Sequence, residues 1–165
     1  MRLIEGVGAA VRSVNRAGIP AICVTNQPDI AKGKFTLDDL RSVFAALDAG
    51  LAKEGGYLDD EFFCPHHPDA GWPGEVAELK IKCNCRKPEP GMLMAAAVFH
   101  NLDLSRSWII GDKYCDIAAG KAVGAKGVLV QTGEAGSDAA KFNISADYVA
   151  SDAAAAVKYI LEQMK

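Results

Sequence analysis

Between Gly6 and Ala17 the apolar residues Val7, Ala10, Val11 and Val14 recur at helical spacing, and Gly18 closes the segment. The run Ile19 to Thr25 is short and almost unbroken in apolarity, as in a strand buried on both faces of a parallel sheet. Thr36 opens a second helix that extends to about Glu54, and Asp39 gives it a capping-box start. A short strand at Asp60 to Phe63 precedes an irregular stretch, 64–90, rich in Cys, His, Pro and Gly. The pattern then predicts a helix over Gly91 to Asn101, a strand over Ser107 to Gly111 and a helix over Tyr114 to Val123. Strands at Gly127 to Gln131 and Asp147 to Ala150 follow, and Ser151 caps a last helix that ends near Gln163. Strands alternating with helices imply an α/β fold with a parallel sheet and helices on both faces. No repeat, low-complexity segment or linker interrupts the pattern, so residues 1–165 read as one domain.

Composition narrows the classes. Half of the 165 residues are apolar, enough for one core, and the net charge is −3. That balance offers no basic footprint for nucleic acid or anionic lipid. No apolar run approaches the roughly 20 residues of a membrane span, and Met1 to Gly8 lack the layout of a secretory signal. A cytoplasmic, monomeric protein is the expectation. The five cysteines are an odd number, which argues against a disulfide framework.

Four polar clusters interrupt the apolar pattern. Thr25-Asn26-Gln27 follows a buried strand, where a hydroxyl and an amide can hold phosphate oxygens; a strand-ending turn explains them equally well. Arg86-Lys87-Pro88 offers two cations suited to phosphate, although a solvated basic pair reads the same way. At Gly111-Asp112-Lys113-Tyr114-Cys115-Asp116 an apolar strand ends in a carboxylate, a hard oxygen ligand of the kind magnesium takes. Asp116 is either a supporting acid there or a helix first-turn acid. Finally, Cys64, His66, Cys83 and Cys85 form a full tetrahedral zinc set with no position left for water, hence structural rather than catalytic. His67 is the rival ligand; His66 is preferred because the Cys-x-His and Cys-x-Cys spacings then match. The resulting zinc loop spans about 64–85. A dithiol redox protein using Cys83 and Cys85 would leave Cys64 and His66 unexplained.

In this order the strand ending in VTNQ, the CPHHPD…CNCRKP loop and the IIGDKYCD strand end resemble the heptose bisphosphate phosphatases of the haloacid dehalogenase (HAD) superfamily. The histidinol phosphate phosphatases share the pattern. The resemblance covers roughly Leu3 to Gly136 and implies a HAD-like (Rossmann-like) three-layer fold with structural zinc and catalytic magnesium. It implies that Thr25 and Asn26 bind the phosphoryl group, that Lys87 stabilises a phosphoaspartyl intermediate and that Arg86 and Lys113 bind substrate. Asp112 becomes a magnesium ligand and Asp116 the second acid of the last motif. The expected substrate is a small phosphorylated sugar, D-glycero-D-manno-heptose 1,7-bisphosphate, with histidinol phosphate as the alternative. The family also uses an Asp-x-Asp at the end of its first strand, and no Asp-x-Asp occurs in these 165 residues. The expectation is therefore a fold whose first strand is missing, with unpaired edges on its two neighbours. A zinc-stabilised remnant that only binds phosphate or a partner is the non-enzymatic alternative.

Overall fold

The computed structural model describes residues 3–164. Its strands are β1 (Ile22–Asn26), β2 (Asp60–Cys64), β3 (Trp108–Gly111), β4 (Lys126–Val130) and β5 (Tyr148–Ala150). Its α-helices are α1 (Val7–Arg16), α2 (Pro28–Ala31), α3 (Leu37–Ala52), α4 (Gly91–His100), α5 (Tyr114–Ala122) and α6 (Ala153–Gln163). The strands form two parallel sheets, β1-β2 and β3-β4-β5.

Alternation along each strand assigns the layers. Phe63 on β2 packs against Phe44 of α3, and its neighbour Phe62 packs against Phe99 of α4, so these helices cover opposite faces. On β4, Val128 and Val130 join Ala156 and Ile160 of α6 in a buried cluster, and an added Cβ on Gly127 would meet Ile117 of α5. Helix α1 touches both α3 and α6. The molecule is thus a three-layer arrangement with α3, α1 and α6 on one side and α4 and α5 on the other, the expected HAD-like class.

The two sheets do not join. Asp59 N–H donates to Ala21 O and Gln27 N–H to Cys64 O, so the odd-numbered backbone groups of β1 face β2 and the even-numbered ones face away. Lys126 N–H donates to Ser107 O, which turns the backbone groups of Trp108 and Ile110 away from β4. Among the described residues no strand pairs with either of these edges. The unpaired edges expected from the sequence are present among the described residues.

Helix α3 has the expected start: Thr36 Oγ1 accepts from Asp39 N–H at 3.1 Å and Asp39 accepts in return from Thr36 N–H at 2.9 Å. Two expectations need correction. The cap of α6 is Asp152, whose carboxylate accepts from Ala155 N–H at 2.8 Å; Ser151 donates to Asp152 instead. The apolar run at Ile19 becomes regular strand only at Ile22, and α2 was not anticipated because it is a single turn behind Pro28.

Candidate active site

Strands β1 and β3 end at one place, and Lys87 stands there. Its Nζ donates to Val24 O, on the unpaired edge of β1, at 2.6 Å. The same Nζ lies 2.7 Å from Asp116 Oδ1 at the start of α5. Both side chains are about nine-tenths buried, 11% and 8% exposed. Asn26 fixes the lysine's backbone from both sides: Nδ2 donates to Lys87 O and Oδ1 accepts from Lys87 N–H, each at 3.0 Å. One Nδ2 proton and Oδ1 of Asn26 thus orient Lys87, and the second Nδ2 proton keeps its capacity to donate. Thr25 Oγ1 accepts from Gln27 Nε2 at 3.2 Å and keeps its own proton for another acceptor.

The β3–α5 turn supplies the acidic side. Asp116 Oδ2 accepts from Lys113 N–H at 3.1 Å, while its Oδ1 meets Lys87. Gly111 makes this possible, since any Cβ there would collide with the Asp116 carboxylate. Asp112 Oδ2 accepts from Glu134 N–H at 2.9 Å. Lys113 Nζ lies 3.5 Å from Glu134 Oε1 and is partly exposed. Cys115 is half-buried, and burial, then Asp116 and Asp138, push its thiol up to about 11.

Arg86 points to the neighbouring loop, where its Nη1 donates to His66 O at 3.3 Å. In that loop the ligand atoms of Cys64, His66, Cys83 and Cys85 lie within 4.8 Å of one another. Cys64 Sγ is 3.5 Å from Cys83 Sγ and 3.1 Å from Cys85 Sγ, and His66 Nδ1 is 3.3 Å from Cys85 Sγ. A tetrahedron with Zn–S of about 2.3 Å has edges near 3.8 Å, so a slight expansion admits the ion. Burial pushes the Cys64 and Cys85 thiols up, so a cation is needed to hold them as thiolates. The donor set fits zinc. His67 stands outside it, packed edge-on against Trp72 at 5.1 Å.

The structure thus brings together Thr25, Asn26, Lys87 and Asp116, sets Asp112 and Lys113 on the adjoining turn, and turns Arg86 toward the cysteine loop. Sequence reasoning missed the Val24 carbonyl, which has no side-chain signature, and the segment around Glu134, Gly136 and Asp138, which follows a different strand.

Comparisons with known proteins agree with this geometry. A family model described as HAD-hydrolase-like matches residues 84–156. The chain is 44% identical over 135 residues to D-glycero-beta-D-manno-heptose-1,7-bisphosphate 7-phosphatase from Yersinia pestis, covering 81% of this chain and 69% of that protein. It is 41% identical over 133 residues to the protein of the same name from Escherichia coli K12, covering 79% and 67%. Among solved structures, D,D-heptose 1,7-bisphosphate phosphatase from B. bronchiseptica, complexed with magnesium and phosphate, superposes with a TM-score of 0.82 at 30% identity. That match covers 97% of this chain and 84% of the other.

Proposed function

The chain belongs to the D-glycero-beta-D-manno-heptose-1,7-bisphosphate 7-phosphatase family of HAD-like hydrolases, and from that membership we propose that its site serves phosphomonoester hydrolysis on a heptose 1,7-bisphosphate. The observation that carries this reading is Lys87, a nearly buried cation held at the meeting point of two parallel strand ends by Asn26, Val24 and Asp116. Ligands of parallel α/β sheets bind beyond the carboxyl ends of the strands. A phosphoryl group there meets the Lys87 ammonium and the Thr25 hydroxyl, with Lys113 adding positive charge at the rim, whereas Arg86 is engaged with His66 O in the cysteine loop. Preorganised cations of this kind stabilise charge on the transferring group without reorganising during the reaction.

Asp112 fits magnesium: its oxygens are hard ligands, and only Oδ2 accepts a hydrogen bond among the described residues. Bound there, magnesium would neutralise charge on the phosphoryl oxygens. The zinc set holds the loop that carries Arg86 and Lys87 and does not touch the reacting group. The substrate is a small phosphorylated sugar, with histidinol phosphate the other candidate.

One observation favours a second reading for residues 1–165 taken alone. Asp116 has both oxygens engaged and there is no Asp-x-Asp, so this cluster offers no carboxylate in line with phosphorus. Loss of a nucleophile commonly costs several powers of ten in rate. Residues 1–165 should therefore bind phosphate while releasing little of it from ester. A form extended by a strand ending in Asp-x-Asp should turn over heptose 1,7-bisphosphate with magnesium and lose that activity on Lys87→Ala or Asp112→Ala. Phosphate-release assays on both forms, with and without magnesium and with histidinol phosphate as competitor substrate, test this. Strong magnesium-dependent turnover by residues 1–165 would refute the second reading, and an inert extended form would refute the first.

A further inference from the structure

The segment after β4 lies across the β3–α5 turn and is tied to it throughout. Glu134 N–H donates to Asp112 Oδ2 at 2.9 Å, and Gly136 N–H donates to Asp112 O at 2.7 Å. The two oxygens of Asp138 accept separately, from Tyr114 N–H at 2.7 Å and from Cys115 N–H at 3.1 Å. Gly133, at φ 69°, lets the strap come this close, because a Cβ there would collide with the Asp112 carboxylate. We infer that Asp138 is a positioning residue for the phosphate site, holding the first turn of α5 where Asp116 meets Lys87 and Asp112 stays at the strand end. The inference rests on reading that site as one for phosphate.

The connection is short. The amides that Asp138 binds belong to the two residues immediately before Asp116, so a shift of that turn moves the carboxylate 2.7 Å from Lys87 Nζ. The same shift loosens Lys113 N–H from Asp116 Oδ2. Asp138 has a second effect. The open amides of a helix start attract anions, and here a carboxylate already occupies them. Phosphate is thereby directed to the Lys87 side of the turn and away from the α5 N-terminus. Asp138 does not touch the phosphate position; it acts through Tyr114, Cys115 and Asp116.

The test uses zinc-loaded protein, inorganic phosphate and magnesium as the probe, and four forms: wild type, Asp138→Ala, Asp138→Asn and Asp152→Ala. Asp152 is the matched control, an aspartate cap of α6. Phosphate affinity is read from amide shifts on titration, and local order from hydrogen exchange at Tyr114 and Cys115. Asp138→Ala should weaken phosphate binding about tenfold or more, as loss of a supporting partner commonly does, and speed exchange at both amides. Asp138→Asn keeps one acceptor and should recover part of the affinity. Asp152→Ala should lower thermal stability while leaving phosphate affinity unchanged. Faster exchange in Asp138→Ala with wild-type affinity would overturn the positioning role, and so would an equal loss of affinity in Asp152→Ala. A wild type that shows no phosphate response, while exchange still responds to Asp138, would sink the reading of the site and the positioning role with it.

Discussion

In β4 every residue after the first is buried, whereas all five residues of β1 are only half-buried, although Ile22, Cys23 and Val24 are as apolar as their counterparts. The difference lies in neighbours. Strand β4 has β3 and β5 beside it and α5 and α6 above and below, so its side chains close a core with Ala150, Ala156 and Ile160. Among the described residues strand β1 has one partner strand, and Lys87 Nζ meets its other edge at Val24 O, the middle of the strand. The half built on β1 and β2 is also anchored where β2 runs into the cysteine loop, since Cys64 is both the last residue of β2 and a fully buried thiol of the zinc set. One half is stabilised by apolar burial, which is non-directional and spread over many residues. The other adds a few directional bonds to the burial of Leu40, Leu51 and Met92.

Removing zinc should expose that difference most strongly. Structural zinc contributes on the order of 10 kcal/mol in small zinc domains. Freshly purified protein should hold one equivalent, and chelation or Cys83→Ser should raise amide exchange across β1, β2 and the 64–85 loop while Val128 and Val130 stay protected. Simultaneous loss of protection in both halves would break the comparison.

Lys87→Ala comes next. It leaves the Asp116 carboxylate buried without its cation, a change that costs about 3–5 kcal/mol. Urea unfolding should show that loss, with zinc content retained. Lys87→Ala with unchanged stability would mean that the ion pair does not link the halves. Ile117→Ala acts on the other half, where the side chain is 0% exposed between α5 and β4. A loss of about 2–5 kcal/mol is expected, again with zinc retained. Reduced zinc content in this variant would argue against independent means of support.

The smallest effect concerns Glu61, on the α3-facing side of β2. One of its carboxylate oxygens is enclosed without a partner, and burial, then Asp48 and Asp60, push its pKa above the usual value. The folded state therefore keeps a proton that the unfolded state has released, and stability falls as pH rises from the unfolded pKa through the folded one. Glu61→Gln should flatten that decline. Melting temperatures of both forms between pH 4 and 7 check it; parallel curves would remove Glu61 from the account.

Much of this architecture was legible in the sequence. Among the anticipated helices, α1 carries a clear amphipathic pattern and α3 a capping box, and the zinc set was readable because its spacings are local. His66 over His67 followed from matched spacing, and the structure places His66 Nδ1 within the thiol cluster. What escaped notice depends on partners distant in sequence. Asn26 brackets Lys87 across 61 positions, which spacing cannot reveal, so the orienting role of its side chain was not read from the sequence. Asp138 caps a helix that begins 24 residues earlier. Glu61 ends a run of three acids, Asp59-Asp60-Glu61, and nothing in that pattern singled it out as the one with an enclosed oxygen.

The interrupted sheet has a consequence for the chain in a crowded solution. The even-numbered groups of β1 and the outer groups of β3 form rows of amide donors and acceptors, and such rows accept any extended polypeptide that presents the complementary pattern. Charged residues usually discourage this on exposed strands, and on β1 the Lys87 ammonium already occupies Val24 O, which leaves the outward groups of Ile22 and Asn26 as the open ones. Added salt, which screens charge and leaves backbone pairing intact, favours association over dispersal.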